Sequence, residues 1–179
     1  MPPHIDDTAA FIPVRIALLT VSDTRDASND TSGDTLAARI TEAGHAVGAR
    51  ALLRDDQAAI TAHLRSWIDS PDIDVVISTG GTGLTGRDVT VEAFRAVFEK
   101  EIDGFAVLFH MVSFGTVGTS TLQSRACAGV AGGTYLFALP GSTGAVKDGW
   151  DNILKWQLDS RHRPCNFVQI MPRLEEHRR

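Results

Sequence analysis

The run VRIALLTVS at residues 14–22 sets the strongest limit on how this chain folds. Side chains alternate across a strand, and here they are apolar on both sides, so the strand must be covered above and below. That is the pattern of a central strand in a parallel sheet with helices on both faces. The rest of the chain continues the theme. From Asp34 onward Leu36, Ile40 and Ala43 fall on one helical face, and Gly44 stands where a C-terminal cap belongs. Residues 46–53 read as a second strand. Asp55 or Asp56 can cap a following helix in which Ile60, Leu64, Trp67 and Ile68 share a face and which Pro71 ends. DVVIS at 74–78 is a third strand, and 91–98 resumes helical spacing with Phe94 and Phe98 one turn apart.

The stretch 104–118 is apolar almost all round, which predicts a helix buried inside the domain or packed against another subunit. TYLFAL at 134–139 is a late strand that runs into Pro140-Gly141-Ser142-Thr143-Gly144, and 146–158 reads as a final helix. From Arg161 onward the mixture of Arg, His and Pro predicts a partly disordered tail. Strands and helices alternate without repeat or linker, and 179 residues suit one core. The expected fold is a single-domain, doubly wound, mostly parallel α/β sheet of Rossmann-like type, with helices on both faces.

Composition narrows the function classes. With 43% hydrophobic and 22% charged residues the chain is an ordinary globular one, and no apolar run approaches the ~20 residues that span a bilayer. The first eight residues carry Asp6 and Asp7 and no basic or apolar segment, so no secretion signal is read and a cytoplasmic location without membrane contact is expected. A net charge of -5 argues against a general nucleic-acid binder. Cys127 and Cys165 lack C-x-x-C spacing and nearby histidines, which predicts buried thiols rather than a zinc site. The six histidines are scattered without H-E-x-x-H spacing and read as structural or exposed.

In a doubly wound sheet, ligands sit beyond the carboxyl ends of the strands. Three loops rich in Gly, Thr, Ser and Asp follow strands here, at 23–34, 79–90 and 140–148, and should line one cleft. The middle one belongs to STGGTGLTGRDVT, residues 78–90, and Gly81 to Gly86 spells the dinucleotide fingerprint G-x-G-x-x-G. The context does not fit that fingerprint. The loop follows the third strand, Arg87-Asp88-Val89-Thr90 intervene before the helix, and Glu101 and Asp103 read as a turn with no strand before them. A P-loop fails as well, because Arg87-Asp88 stand where Lys and Ser or Thr are required. Consecutive glycines still let backbone N–H groups approach an anion, threonines add donors, and the next helix offers its positive end. An oxyanion or polar heterocycle is the expected guest. Asp88 would repel a bare phosphate unless a hard cation such as Mg²⁺ lies between them; alternatively Asp88 or Thr90 merely caps the next helix. Asp23, Asp34, Asp55, Asp56, Ser22, Ser142 and Thr143 each also read as turn or helix-start residues, and Lys147 and Arg125 as surface charges unless the cleft gathers them.

Taken together, RIALLTVSDTR, DTSGDTL, STGGTGLTGRDVT, GTSTLQSRACAGV and LPGSTGAVKDGW resemble, in order, the motifs of the MoaB/MogA family of molybdenum cofactor biosynthesis proteins, and RPCNF at 163–167 resembles the MoaB branch. The likeness covers residues 11–167 as the domain, with 1–10 and 168–179 as tails. It implies an α/β fold that binds molybdopterin at the TGGTG and PGS loops, in homo-oligomers that are trimers or, in the MoaB branch, hexamers. It also implies transfer of AMP from Mg-ATP to the terminal phosphate of molybdopterin, with pyrophosphate released, or else a non-catalytic carrier role among other proteins of the pathway. By position, Asp88 matches the carboxylate associated with Mg²⁺ and adenylyl transfer. Asp55 matches a second functional carboxylate, although the family's Pro-Asp-Glu reads Arg54-Asp55-Asp56 here, which leaves Asp55 and Asp56 both open. Gly80, Gly81, Thr82 and Gly83 match the pterin and phosphate loop, and Ser124, Arg125, Pro140, Gly141 and Ser142 match residues near the same pocket. The resemblance assigns the nucleotide to Ser22, Asp23, Gly33, Arg87 and Lys147. Some MoaB proteins lack activity where the residues after TGGTG depart from the active pattern; Arg87 and Asp88 are kept here.

Overall fold

The computed structural model describes residues 3–178. In chain order its elements are β1 (His4–Ile5), β2 (Arg15–Val21), α1 (Thr31–Glu42), β3 (Ala46–Leu53), α2 (Gln57–Ile68), β4 (Val75–Thr79), α3 (Thr90–Arg95), β5 (Lys100–Glu101), α4 (Asp103–Val117), β6 (Cys127–Ala131), β7 (Thr134–Leu139), α5 (Thr143–Gly149), α6 (Lys155–Gln157), β8 (His162–Arg163) and α7 (Phe167–Ile170). Six strands form the main sheet in the order β3-β2-β4-β7-β6-β5. The first four are parallel, with Ile16 opposite Val47 and Val75, and Val76 opposite Leu136; β6 runs antiparallel to β7, and β5 antiparallel to β6.

The period-two pattern of the strands sorts their side chains into two cores. Ile16, Leu18, Val75, Ile77, Tyr135, Phe137 and Leu139 meet Leu36 and Ile40 of α1, Phe105 and Phe109 of α4, and Val146 and Trp150. On the other face Ala17, Leu19, Val21, Val76, Leu136 and Ala138 meet Ile60, Leu64 and Trp67 of α2, and Val91 and Phe94 of α3. Each large side chain buried this way contributes about 1.5–3 kcal/mol. The doubly wound α/β expectation is met.

Several boundaries differ from the sequence reading for local reasons. α1 starts at Thr31 rather than Asp34, because Asp30 caps it: the carboxylate accepts from the Gly33 amide at 3.0 Å and from the Thr20 hydroxyl at 2.7 Å. α2 is capped by Asp56, which accepts from the Ala59 amide at 2.9 Å, so Asp55 is left outside the helix. The final helix runs from Thr143 to Gln157 but widens to a π-helical segment, Trp150–Leu154, that turns Trp150, Ile153 and Leu154 inward. Glu101 lies not in a turn but in the edge strand β5, which is too short to show any period. Cys127 is buried, and burial pushes its thiol up to about 12, whereas Cys165 is exposed, so only one of the two is a buried thiol.

α4 meets both of its sequence readings halfway. It buries Phe105, Phe109 and Ser113 against the sheet and leaves Val107, Leu108, Met111, Phe114 and Val117 at least half exposed. With the 3₁₀ turn Gly118–Gln123 it makes a helical stretch of 21 residues and mean hydropathy 1.4, long and apolar enough by length and composition to cross a membrane. This corrects the expectation that no stretch reaches that length: Gly, Ser, Thr and His interrupt the apolar run without lowering its average enough. Its anchoring through Phe105 and Phe109 is equally that of a helix covering a sheet.

Residues 162–178 carry short regular elements, contrary to their composition. β8 pairs antiparallel with β1, and the Phe167 ring packs 4.8 Å from that of Tyr135, whose hydroxyl donates to the Phe167 carbonyl at 3.1 Å. These elements are two to four residues long, below the length at which periodicity is visible.

Candidate functional site

The loops after all four parallel strands meet at their carboxyl ends. Thr79 at the end of β4 donates its hydroxyl to the Pro140 carbonyl at 3.1 Å, and the Gly80 amide donates to Leu139 at 3.0 Å, joining the TGGTG and PGS loops. Arg25 in the loop after β2 reaches across to the Gly141 carbonyl at 3.0 Å and also bonds the Ser32 hydroxyl. Asp23 in the same loop accepts from the Asp55 amide at 3.4 Å and pairs with Arg87. The three loops expected to line one cleft do so, and the loop after β3 joins them. The cleft lies where the chain order reverses between β2 and β4, as ligand sites of doubly wound sheets do.

The glycine loop is shaped from behind. Gly80 and Gly81 have φ of +99° and +65°, a region open to glycine and costly for other residues. A side chain at Gly81 would also come within 2.6 Å of the Asp55 carboxylate. Four successive carbonyls of the loop are held by bonds on one side: Gly80 by the Thr90 hydroxyl at 2.9 Å, Gly81 by the Thr90 amide at 2.9 Å, and Thr82 and Gly83 by Arg125 Nε at 3.1 and 2.9 Å. In a trans peptide the C=O and the next N–H point in opposite directions. Pinning those carbonyls therefore aims the amides of Gly81, Thr82, Gly83 and Leu84 away from their struts, leaving them to meet a ligand or another loop group.

In this structure the next donors along the loop are taken by Asp88. Its carboxylate accepts from the Thr85 amide at 2.8 Å and from the Thr85 hydroxyl at 2.6 Å. Burial pushes the Asp88 carboxyl up, but these bonds and the charge of Arg125 outweigh it and hold it below the usual carboxylate range. Neither Asp88 nor Thr90 caps α3: the cap position is Val89, with no side-chain bond. The capping alternative is thus corrected. α3 has only six residues, so the expected help from its positive end is small beside that of the loop amides.

Asp55 behaves oppositely. Its Oδ1 is buried with no hydrogen-bond partner among the described residues, and burial, then the charges of Asp23 and Asp88, raise its carboxyl against a smaller pull from Arg87. Among the described residues no three Asp, Glu, His or Cys side chains already converge into a metal cage. The structure brings Asp23, Asp55, Asp88 and Arg87 together with the glycine loop and turns Asp56 away to its helix.

The remaining candidates divide. The Ser22 hydroxyl accepts from the Thr24 and Arg25 amides at 3.2 and 3.1 Å, and Ser142 caps α5 through the Ala145 amide at 3.1 Å, so both also build their own loops. Gly33 sits buried in the first turn of α1 with its amide on Asp30. Ser124 presents its carbonyl to His110 at 3.1 Å. Lys147 is exposed on α5. Sequence reasoning missed Arg25, Asp30, Thr90 and Glu92 as the residues that brace the loops; nothing in spacing marks them, because each reaches a partner ten or more residues away, be it a backbone carbonyl or another side chain.

Fold and cleft define a doubly wound α/β protein whose switch-point loops set a glycine-rich turn beside the carboxylates of Asp23, Asp55 and Asp88. Residues 17–160 match the family described as a probable molybdopterin binding domain, and the chain belongs to the MoaB/MogA family of molybdenum cofactor biosynthesis proteins. It is 52% identical over 157 residues to molybdenum cofactor biosynthesis protein B of Escherichia coli K12, covering 88% of this chain and 92% of that protein. A crystal structure of a molybdenum cofactor biosynthesis protein B superposes with a TM-score of 0.83 at 37% identity, covering 96% of this chain and 100% of the other. The tungsten cofactor synthesizing protein MoaB from Pyrococcus furiosus gives 0.71 at 29% identity, covering 92% and 96%.

Proposed function

We propose that this cleft binds molybdopterin by its terminal phosphate and transfers AMP to it from Mg-ATP. The observation that carries this is the juxtaposition of the pinned glycine loop with a buried, unpartnered carboxylate oxygen of Asp55. The loop amides supply donors for a phosphate, as backbone nests do. The donor set fits Mg²⁺, because an orphaned Asp55 oxygen stands beside the Asp23 and Asp88 carboxylates, and Mg²⁺ uses one or two carboxylates together with phosphate oxygens. When bound, Mg²⁺ would neutralise charge developing on the phosphates.

The chain's own part is positioning and electrostatics. Gly80, Gly81, Thr82, Gly83 and the Pro140-Gly141-Ser142 turn hold molybdopterin, while Arg87 and Lys147 hold the phosphates of ATP beside Ser22, Asp23 and Gly33. A terminal phosphate oxygen of molybdopterin attacks the α-phosphorus in line. A new P–O bond forms, the bond from the α-phosphorus to the bridging oxygen breaks, and pyrophosphate leaves with that oxygen. In the same reading copies of the chain associate as trimers or hexamers.

Purified protein with molybdopterin and Mg-ATP should release pyrophosphate. Asp88→Ala is expected to keep the fold, to bind pterin at least as tightly because its carboxylate no longer occupies the loop donors, and to lower turnover about 10²-fold or more, as loss of one transition-state stabiliser does; unchanged turnover removes Asp88 from the mechanism. The engagement of Asp88 with Thr85 favours one second reading, a molybdopterin carrier without chemistry. Tight binding with no pyrophosphate release supports the carrier.

A further inference from the structure

We infer that Arg125 is a positioning residue: together with Glu92 it clamps the glycine loop from behind into its anion-binding shape and does not itself touch the bound phosphate. This rests on the proposed reading of the loop as the phosphate site. A cationic residue beside an anion cradle invites the simpler view that it pairs with the anion, and the geometry points elsewhere.

Four of the five guanidinium N–H groups are already committed. Nε donates to Thr82 and Gly83 carbonyls at 3.1 and 2.9 Å, and Nη2 to the Asp88 carbonyl at 3.0 Å. Nη1 and Nη2 also grip the Glu92 carboxylate, the latter at 3.2 Å, and the Arg125 amide adds a bond to the Thr82 carbonyl at 3.0 Å. One side chain therefore joins the start of the loop, its end, and the first turn of α3 where Glu92 sits. The planes so fixed are those whose amides belong to Gly83, Leu84 and Val89, turned away from Arg125 by the trans geometry of the peptide. Lysine, a single point charge on a flexible stem, cannot span these acceptors. Glu92 supplies the counter-charge, and the hydrogen bond from Arg125 holds its carboxyl below the usual range.

Direct contact and clamping predict opposite signs for Glu92. If Arg125 met the phosphate, removing the competing carboxylate would free its charge and tighten binding. If it clamps, Glu92→Gln loosens the same device. The test uses the full chain, with Arg125→Lys, Arg125→Ala, Glu92→Gln and the Arg125→Lys/Glu92→Gln pair. Molybdopterin Kd is measured by titration and amide hydrogen exchange across residues 79–90 in the ligand-free protein. The expected result is binding weakened about tenfold or more in each Arg125 variant, as for loss of charge-assisted bonds. Glu92→Gln weakens it less, the pair is no worse than Arg125→Lys alone, and guanidinium ion partly restores Arg125→Ala. Exchange at Gly83 and Thr85 should quicken in the same variants with Tm of the globular fold held.

Tighter binding in Glu92→Gln, or additive losses in the pair, overturns the clamp in favour of direct contact. Faster exchange with unchanged Kd reduces Arg125 to a structural residue. Should Arg125→Ala fail to fold, Arg125→Lys and Glu92→Gln decide. Wild-type protein that binds no molybdopterin overturns the reading of the site itself, while unchanged loop exchange overturns the clamp whatever the ligand.

Discussion

Asp55 is a carboxylate held under strain of charge rather than of backbone. A carboxyl whose folded value is raised is ionised at a cost to stability. That cost is absent below the unfolded value of about 3.9, grows as pH rises toward the folded value, and is fully present above it. Asp55→Asn removes the charge, so the variant should have a higher Tm than wild type in ligand-free protein near neutral pH, with the gain vanishing at about pH 3. Added Mg²⁺ should narrow the gap by stabilising the wild type alone. Calorimetry at the two pH values checks this; a variant less stable than wild type at neutral pH counts against it. The family resemblance points to one of two adjacent aspartates but does not say which, because the cap and the cleft residue are neighbours with the same chemistry. The cap geometry separates them.

At the scale of elements, the same pair allows a complementary experiment. Asp56→Ala should cost about 1 kcal/mol through loss of the α2 cap and leave molybdopterin affinity untouched. Denaturant titration beside a binding isotherm reads both; a large loss of affinity would mean that Asp56, not Asp55, serves the cleft. Strands β2, β4 and β7 are legible in the sequence because both of their faces are apolar, and α1 and α2 because one face is. β6 is not: Cys127, Ala128, Gly129, Val130 and Ala131 are small, and nothing in CAGVA separates strand from loop. The backbone freedom of the glycine loop is legible in its composition, but its bracing arises only when Thr90 folds back across about ten residues and Arg125 closes on it from more than forty residues away.

At the scale of the whole molecule, α4 is the feature a lone copy leaves unresolved. Val107, Leu108, Met111, Phe114 and Val117 form an exposed apolar ridge, and a hollow of about 430 Å³ lined by Leu108, Val112, Ile153, Trp156 and His162 lies beside it. Patches of this kind are covered in working proteins. The expected cover is a second copy of the chain. Sedimentation should show a trimer or hexamer for wild type, and the Leu108→Glu/Met111→Glu variant should run as a folded monomer by circular dichroism. A monomeric wild type, or a variant that stays assembled, places the interface elsewhere. Sequence could not choose between burial and association for this helix, because apolarity all round is common to both.

Asp88 resting on the amides of its own loop gives the cleft an occupant before any ligand arrives. Under the proposed function, phosphate binding is then an exchange, not an addition, with the observed affinity reduced to the extent that the self-bound form is populated. The exchange also has a direction built into it: each anion that takes the Thr85 donors sets free a carboxylate at the moment and place where a second, positively charged guest would be drawn in.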